Sequence, residues 1–355
     1  MPRERFLRQI PALLDWYSAS RRELPWRSKD PPDPYEIWIS EVMSQQSTMA
    51  SVVPYFERWM RRFPTIEDLA AAPDEAVLEA WSGLGYYSRA RNVLKAARLL
   101  VEFRSREHQW PMRAMEWQSF PGIGPYTAAA VAAIAFGDAV LPVDGNVFRV
   151  FSRFAKIPDP LNSKGDKDRI LELVGEISTR VEKGSHGALA QAFMELGARI
   201  CRPGAQAQCE VCPLRPGCEC ANPEAAAAFP KPKKRAATEK VKLLLPIFRD
   251  PKQGGILVRK IPEGRRLAGH WELPIWELGP QFEEGQLEAL SKEFHVVKPI
   301  KHQILHRAFE AFGVEAGSWS QPLPEGHAFW RPEVGLPSPL TTLTRKLFKV
   351  LQNDA

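Results

Sequence analysis

From Phe6 to about Arg199 the apolar positions recur three and four apart in short segments separated by Pro and Gly. Alternating β-branched runs are few there. The pattern predicts helices over 6–19, 35–48, 51–62, 66–70, 74–82, 86–104, 114–119, 125–136, 144–154, 166–182 and 186–199. Past residue 220 the character changes. An alanine run leads into Pro230-Lys231-Pro232-Lys233-Lys234-Arg235, a basic and extended stretch, so 221–240 is expected as a linker. Strand-like pieces follow at Lys242–Phe248, Gly255–Arg259, Ile300–Leu305 and Phe309–Gly313, the first of them separated by turn clusters at Pro251–Gly254 and Pro262–Arg265. A mainly α domain over 1–220 and a smaller α+β domain over 241–355 are expected.

One junction in the helical half carries its own explanation. In Phe120-Pro121-Gly122-Ile123-Gly124-Pro125-Tyr126-Thr127-Ala128, Gly122 and Gly124 permit a tight turn that lets a partner approach the backbone. Pro125 suits the first turn of the alanine-rich helix that follows. Bare amides and the positive end of the helix dipole then face outward, which suits a phosphate. An ordinary helix–turn–helix link is the bland alternative.

The net charge of the chain is +6, and composition adds two things to the picture. The positive balance fits an acidic partner such as nucleic acid. No run approaches the ~20 apolar residues of a membrane span, and the first residues lack a signal-peptide core, so a soluble intracellular protein is expected. All five cysteines fall between residues 201 and 220, none elsewhere to staple distant loops. Their layout, Cys201-x7-Cys209-x2-Cys212-x5-Cys218 with Cys220 left over, reads as a metal site. Zinc and an iron–sulfur cluster both remain open. A single Cys-x2-Cys knuckle, where a zinc ribbon uses two, favours the cluster.

Two carboxyl groups stand out. On a helix through Tyr35–Met43, Glu41 projects between Ile37 and Trp38 inside the apolar stripe. Desolvation there raises its pKa, so it can hold a proton near neutral pH. Asp144 precedes the apolar-periodic run 145–154 and reads as an N-cap. A carboxylate beside a proton-holding acid also suits cleavage of a glycosidic bond, one group protonating the leaving base and the other steadying an oxocarbenium-like sugar.

The hairpin, the segment Val143-Asp144-Gly145-Asn146 and the four clustered cysteines together resemble the helix–hairpin–helix DNA glycosylase superfamily with an iron–sulfur cluster. Within it, Leu24-Pro25-Trp26-Arg27, Ser40-Glu41-Val42-Met43, Gln45-Gln46 and Trp81 to Arg89 resemble the adenine DNA glycosylase family, in order over residues 6–218. The resemblance implies a two-lobed helical glycosylase domain with a cluster loop, followed by a Nudix-like domain. It also implies removal of adenine opposite 8-oxoguanine or guanine in double-stranded DNA, a monomeric and cytoplasmic enzyme of bacterial, nucleoid-associated type, and one 4Fe-4S cluster on Cys201, Cys209, Cys212 and Cys218.

By the same resemblance, Glu41 protonates adenine N7 and later helps activate water, Asp144 stabilises the cationic sugar, and Tyr126 and Asn146 support the two. Gln46 and Tyr86 wedge into the base stack. Arg22, Trp26, Arg27 and Gln191 line the pocket of the flipped base, and Gly122 and Gly124 meet the phosphate. Tyr126 occupies the position where strand-cleaving members carry a lysine, so a monofunctional enzyme is expected. Gly269 to Pro274 matches a strand of the family's second domain, without paired Glu of a pyrophosphatase nearby, and 8-oxoguanine reading falls to 301–306, His306 included.

Three positions depart from the pattern. The first cysteine gap is seven residues against the family's six. Ser44 replaces a leucine, and Ile304-Leu305-His306 replaces Phe-Ser-His. Two other readings therefore stand: a related glycosylase acting on thymine opposite guanine, and a non-catalytic DNA-binding iron–sulfur protein.

Overall fold

In a computed structural model of the chain, the described residues are 1–231 and, beyond them, all except 232–237, 253, 263, 266, 279–293, 298, 305, 332–339 and 354–355. The chain separates into two compact units, one of residues 1–85 and 89–233 and the other of 86–88 and 234–355.

The first unit is helical. Its helices are α1 (Pro2–Leu7), α2 (Ile10–Ser20), α3 (Pro34–Ser44), α4 (Met49–Arg62), α5 (Ile66–Ala71), α6 (Asp74–Ala80) and α7 (Ser88–Glu107). They continue as α8 (Ala114–Trp117), α9 (Pro125–Phe136), α10 (Gly145–Phe154), α11 (Lys164–Ser178), α12 (His186–Arg199) and α13 (Pro223–Ala227). The central element is α9. Its residues Thr127 to Ile134 are all buried, and it packs against α3, α8 and α12. An alanine-rich helix can be enclosed on every side because its small side chains let neighbours approach. A Cβ on Gly187 of α12 would lie 2.9 Å from Ala133 O.

Two aromatic clusters flank this helix. Phe6, Phe151, Phe154 and Phe193 pack on one another with centroids 4.9–5.3 Å apart. Trp38 packs on Trp117, and Trp59 on Trp81 and Phe63. Burial of such rings contributes about 1.5–3 kcal/mol each.

The expected linker differs. Residues 232–237 of it lie outside the described residues, but 221–231 are not extended. Asn222 caps α13 by accepting the Ala225 N–H at 2.8 Å, and Ala226 is buried. Arg153 donates to Phe229 O and the Lys231 N–H to Pro158 O, both at 2.8 Å. An Asn-Pro start before an alanine run is a helix signal, and these bonds tie the segment to the helical unit.

The second unit is α+β. Its strands are β1 (Glu239–Arg249), β2 (Ile256–Lys260), β3 (Trp271–Glu272), β4 (Trp276–Leu278), β5 (Ile300–Ile304), β6 (Arg307–Ser318) and β7 (His327–Trp330). The sheet order is β3-β2-β1-β6-β5, with β4 on β1 and β7 on β2. β1 and β6 run parallel, Leu243 opposite Ala311, while the other pairs are antiparallel. Alternate residues of β1 (Val241, Leu243, Leu245, Ile247) face a core closed by α14 (Thr342–Asn353) through Leu343, Leu347 and Phe348. Of the strand expected over 300–305, β5 takes in Ile300–Ile304, and Leu305 lies outside the described residues. Strands β3, β4 and β7 carry too few residues to show a period in the sequence.

Candidate active site

The glycine hairpin forms between α8 and α9. Gly122 has φ +75°, and a Cβ there would lie 2.5 Å from Asn92 Cβ, so both the backbone and the space require glycine. Gly124 is the N-cap of α9 with open space around it and no side-chain cap. The first amides of α9 therefore face one open cavity, lined by Gly122, Gly124, Pro125, Tyr126 and Thr127 and, across from them, Glu41, Ser44–Thr48, Asp144 and Asn146.

Glu41 enters this cavity from α3 and is 9% exposed. Burial pushes its pKa up, and the nearby Asp144 carboxylate adds to this. The Tyr126 hydroxyl, donating to Oε2 at 2.9 Å, and the charge of Arg27 oppose it. The net result is a pKa of about 7. Tyr126 itself is held well above the usual phenol range, first by burial, and its hydroxyl also contacts Met194 Sδ at 3.0 Å.

Asp144 is the N-cap of α10. Its Oδ1 accepts the Asn146 and Val147 N–H groups at 2.9 and 2.8 Å, and Oδ2 accepts Asn146 Nδ2 at 2.8 Å. Capping and a poised carboxylate are thus the same arrangement: every lone pair used for the cap fixes the group's orientation. Asn146 is oriented in turn by Arg149, which donates to its Oδ1 at 2.8 Å and to Cys201 O at 2.8 Å. Arg149 escaped the sequence reading because a single arginine on an amphipathic helix carries no signal.

Gln46 sits at the cavity mouth, exposed, with φ +59°. The chain is held there by Arg89, whose Nη1 donates to Val42 O and Gln45 O at 2.7 and 2.8 Å. Tyr86 is also left-handed, φ +48°, and 41% exposed. Non-glycine residues in this region are strained and cluster at functional sites.

Arg22, Trp26, Arg27 and Gln191 do not line the cavity that holds Glu41. Trp26 is buried, edge-on to Phe56 at 4.9 Å. Gln191 donates weakly to Gly187 O at 3.4 Å. Arg22 and Arg27 converge on Glu195 of α12, a fully buried carboxylate that the sequence reading passed over. Arg22 binds it bidentately, Nε to Oε1 at 2.6 Å and Nη2 to Oε2 at 2.8 Å. Burial alone would raise the pKa of Glu195, but the hydrogen bond and charge of Arg22, with the charge of Arg27, bring it below the usual range.

Cys201, Cys209, Cys212, Cys218 and the buried Cys220 line a single cavity beside α10 and α12, all as free thiols. Burial raises Cys212 to about 11 and Cys218 to about 12, so these sulfurs are neutral unless a cationic group draws their protons off. Arg153 lies against the cavity, its Nη1 3.4 Å from Cys201 Sγ. Among the described residues no group of cysteine, histidine or acidic side chains is placed to hold a single metal ion.

In the second unit, His306 is an exposed turn residue between β5 and β6, and its carbonyl accepts the Glu239 N–H at 2.8 Å. Leu305 lies outside the described residues. Glu272 of the Gly269–Pro274 segment pairs with Arg259 at 2.9 Å. No described helix is long and apolar enough to cross a membrane.

Residues 39–174 match the family model described as HhH-GPD superfamily base excision DNA repair protein. A solved thermostable thymine-DNA glycosylase superposes with a TM-score of 0.52 at 25% identity, covering 61% of this chain and 95% of that one. The human adenine DNA glycosylase is 41% identical over 58% of this chain, a match that spans only 38% of the relative's length. The adenine DNA glycosylase of Schizosaccharomyces pombe is 30% identical, and the match takes in 76% of this chain and 69% of the relative. A likeness that runs through most of both chains, on a helix–hairpin–helix fold with Glu41 and Asp144 facing one cavity, makes this chain a member of the adenine DNA glycosylase family.

Proposed function

We propose that this chain is a monofunctional glycosylase of base excision repair, which hydrolyses the N-glycosidic bond of adenine mispaired with 8-oxoguanine or guanine in double-stranded DNA. One observation carries the reading. A buried carboxyl with a pKa of about 7 shares a cavity with an oriented carboxylate at the mouth of a phosphate-suited hairpin. Glu41, protonated, gives its proton to N7 of the flipped adenine. The C1′–N9 bond breaks with its electron pair going to the base, and Asp144 stabilises the cationic sugar. Water adds to C1′ and yields its proton to Glu41, which is then ready for another cycle. Gln46 and Tyr86 hold the duplex open, and His306 contributes to reading the opposite base. Tyr126 is a phenol where a lyase needs an amine, so no imine forms.

The four spaced cysteines hold one 4Fe-4S cluster. The gathering of these thiols around one shared cavity supports this reading, as does their spacing with a single Cys-x2-Cys knuckle. Bound there, the cluster supplies a cross-link of the 201–218 loop and a redox-active centre. The enzyme acts as a monomer on chromosomal DNA in the cytoplasm.

Single-turnover excision on duplexes with A:8-oxoG, A:G, A:C and T:G tests the reading. Release of adenine from the first two supports it. Preferential release of thymine from T:G overturns it in favour of the related specificity that Ser44, in the cavity wall, keeps open. Brown protein with about four irons per chain supports the cluster, and one zinc per chain overturns it.

A further inference from the structure

The Tyr126 hydroxyl carries one proton and faces two acceptors. It donates to Glu41 Oε2 at 2.9 Å, and Met194 Sδ of α12 lies 3.0 Å from the same hydroxyl oxygen. One O–H serves one of them well, and a thioether is the weaker acceptor. The proton therefore stays on the Glu41 side. A side chain with an oxygen at this place would contest it, so methionine fills the space without competing. Nothing in the chemistry described above uses its sulfur.

The charges around this pair are few. Tyr126 from α9, Asp144 from the N-cap of α10 and Arg27 from the turn Pro25–Arg27 act on Glu41. Glu41 and Asp144 act on Tyr126. From α12 comes Glu195, next to Met194 in the chain, but Arg22, Arg27 and Arg199 hold its charge. Met194 is partly exposed, whereas Phe193 and Glu195 on either side of it are buried.

We propose that Met194 is a modification site: a hydroperoxide that oxidises its Sδ to the sulfoxide turns a weak acceptor into a strong one, which draws the Tyr126 hydroxyl away from Glu41. Sulfur gives up two electrons and gains one oxygen atom. The O–O bond of the peroxide breaks, and the remaining oxygen leaves as water or an alcohol, keeping the peroxide's proton. Methionine has three rotatable bonds, so the new oxygen can settle near the place the sulfur now occupies. This rests on the proposed excision activity, in which Glu41 delivers the proton. Because the Tyr126 hydrogen bond holds the Glu41 pKa down, losing it moves that pKa up. Oxidation at one sulfur thus retunes the acid without touching it, and reduction of the sulfoxide restores it.

The test treats the full chain with hydrogen peroxide at graded doses and maps methionine sulfoxide by peptide mass spectrometry. Met115, 84% exposed, is the reference for free access. Single-turnover excision of adenine from an A:8-oxoG duplex is then read across pH. With Met194 converted, the alkaline limb should move to higher pH by as much as Tyr126→Phe moves it, about one unit or less. Treated Tyr126→Phe should show no additional shift, and treated Met194→Leu should keep the limb of its untreated form. Methionine sulfoxide reductase should restore the profile of the unsubstituted protein. A shift of equal size in treated Met194→Leu places the effect on another residue and overturns the proposal. So does a limb that stays fixed after Met194 is converted, or a Met194 that resists peroxide once Met115 is fully oxidised. Should Met194→Leu not fold, Met194→Gln decides, since its amide oxygen is a standing acceptor. An alkaline limb raised without peroxide then supports the proposal, and a limb at the parental pH overturns it. If the untreated protein releases no adenine, the proposed function fails on its own. The Glu41 carboxyl is then titrated by isotope-edited NMR before and after peroxide: a midpoint that moves up supports the proposal, and an unmoved one overturns it.

Discussion

Two buried carboxyl groups in the helical unit have opposite fates. Glu41, on α3, meets one hydroxyl donor and lies near another carboxylate, and its pKa stands near 7. Glu195, on α12, is more fully buried yet stays ionised, because three guanidinium groups surround it. Burial alone does not decide protonation. The partners do, and they separate a proton donor from a structural anchor within one fold.

The largest effect should come from removing the donor. Glu41→Gln keeps the shape and the Tyr126 contact but cannot deliver a proton, so single-turnover excision should fall by ~10²–10⁴-fold with duplex binding kept. Near-normal turnover would break the comparison. Truncating the anchor acts on stability instead. Glu195→Ala leaves two arginines and a third facing a void, and thermal or urea unfolding should show a loss of about 3 kcal/mol. A variant as stable as the parent would mean that the cluster is solvated and holds nothing.

The pH dependence of Glu41 comes next. Its folded pKa is raised above the ordinary carboxylate value, so its favourable contribution is full below about pH 4.5 and is lost as pH rises through about 7. Glu41→Gln should therefore be more stable than the parent at pH 8–9, by up to ~3 kcal/mol, and equal to it below about pH 4.5. Urea titrations at the two pH values check the sign. The smallest effect sharpens the comparison. The Tyr126 hydroxyl holds the Glu41 pKa down, so Tyr126→Phe should move the alkaline limb of the rate profile to higher pH, by about one unit or less. A move to lower pH would mean the phenol donates elsewhere.

Much of this was legible along the chain. The apolar period predicted the helices of the first unit to within a few residues at most ends, because each is amphipathic or bounded by Pro and Gly. Glu41 inside an apolar stripe, Asp144 before a helix and the glycine turn are local signals, and each sits in the structure where its local rule puts it. The short strands β3, β4 and β7 were not legible, since two to four residues show no alternation.

What the sequence by itself determined is the set of chemically competent groups: a desolvated acid, a capping carboxylate, a hairpin of bare amides and spaced thiols. Only the tertiary structure decided which groups share a cavity and which charges are spent on one another. By resemblance Arg22 and Arg27 are expected to line the base pocket, but α12 brings Glu195 to them from more than 160 residues away. That pairing accompanies the packing of α2 on α12, and no local pattern encodes a contact made by two surfaces that meet only when the chain is folded.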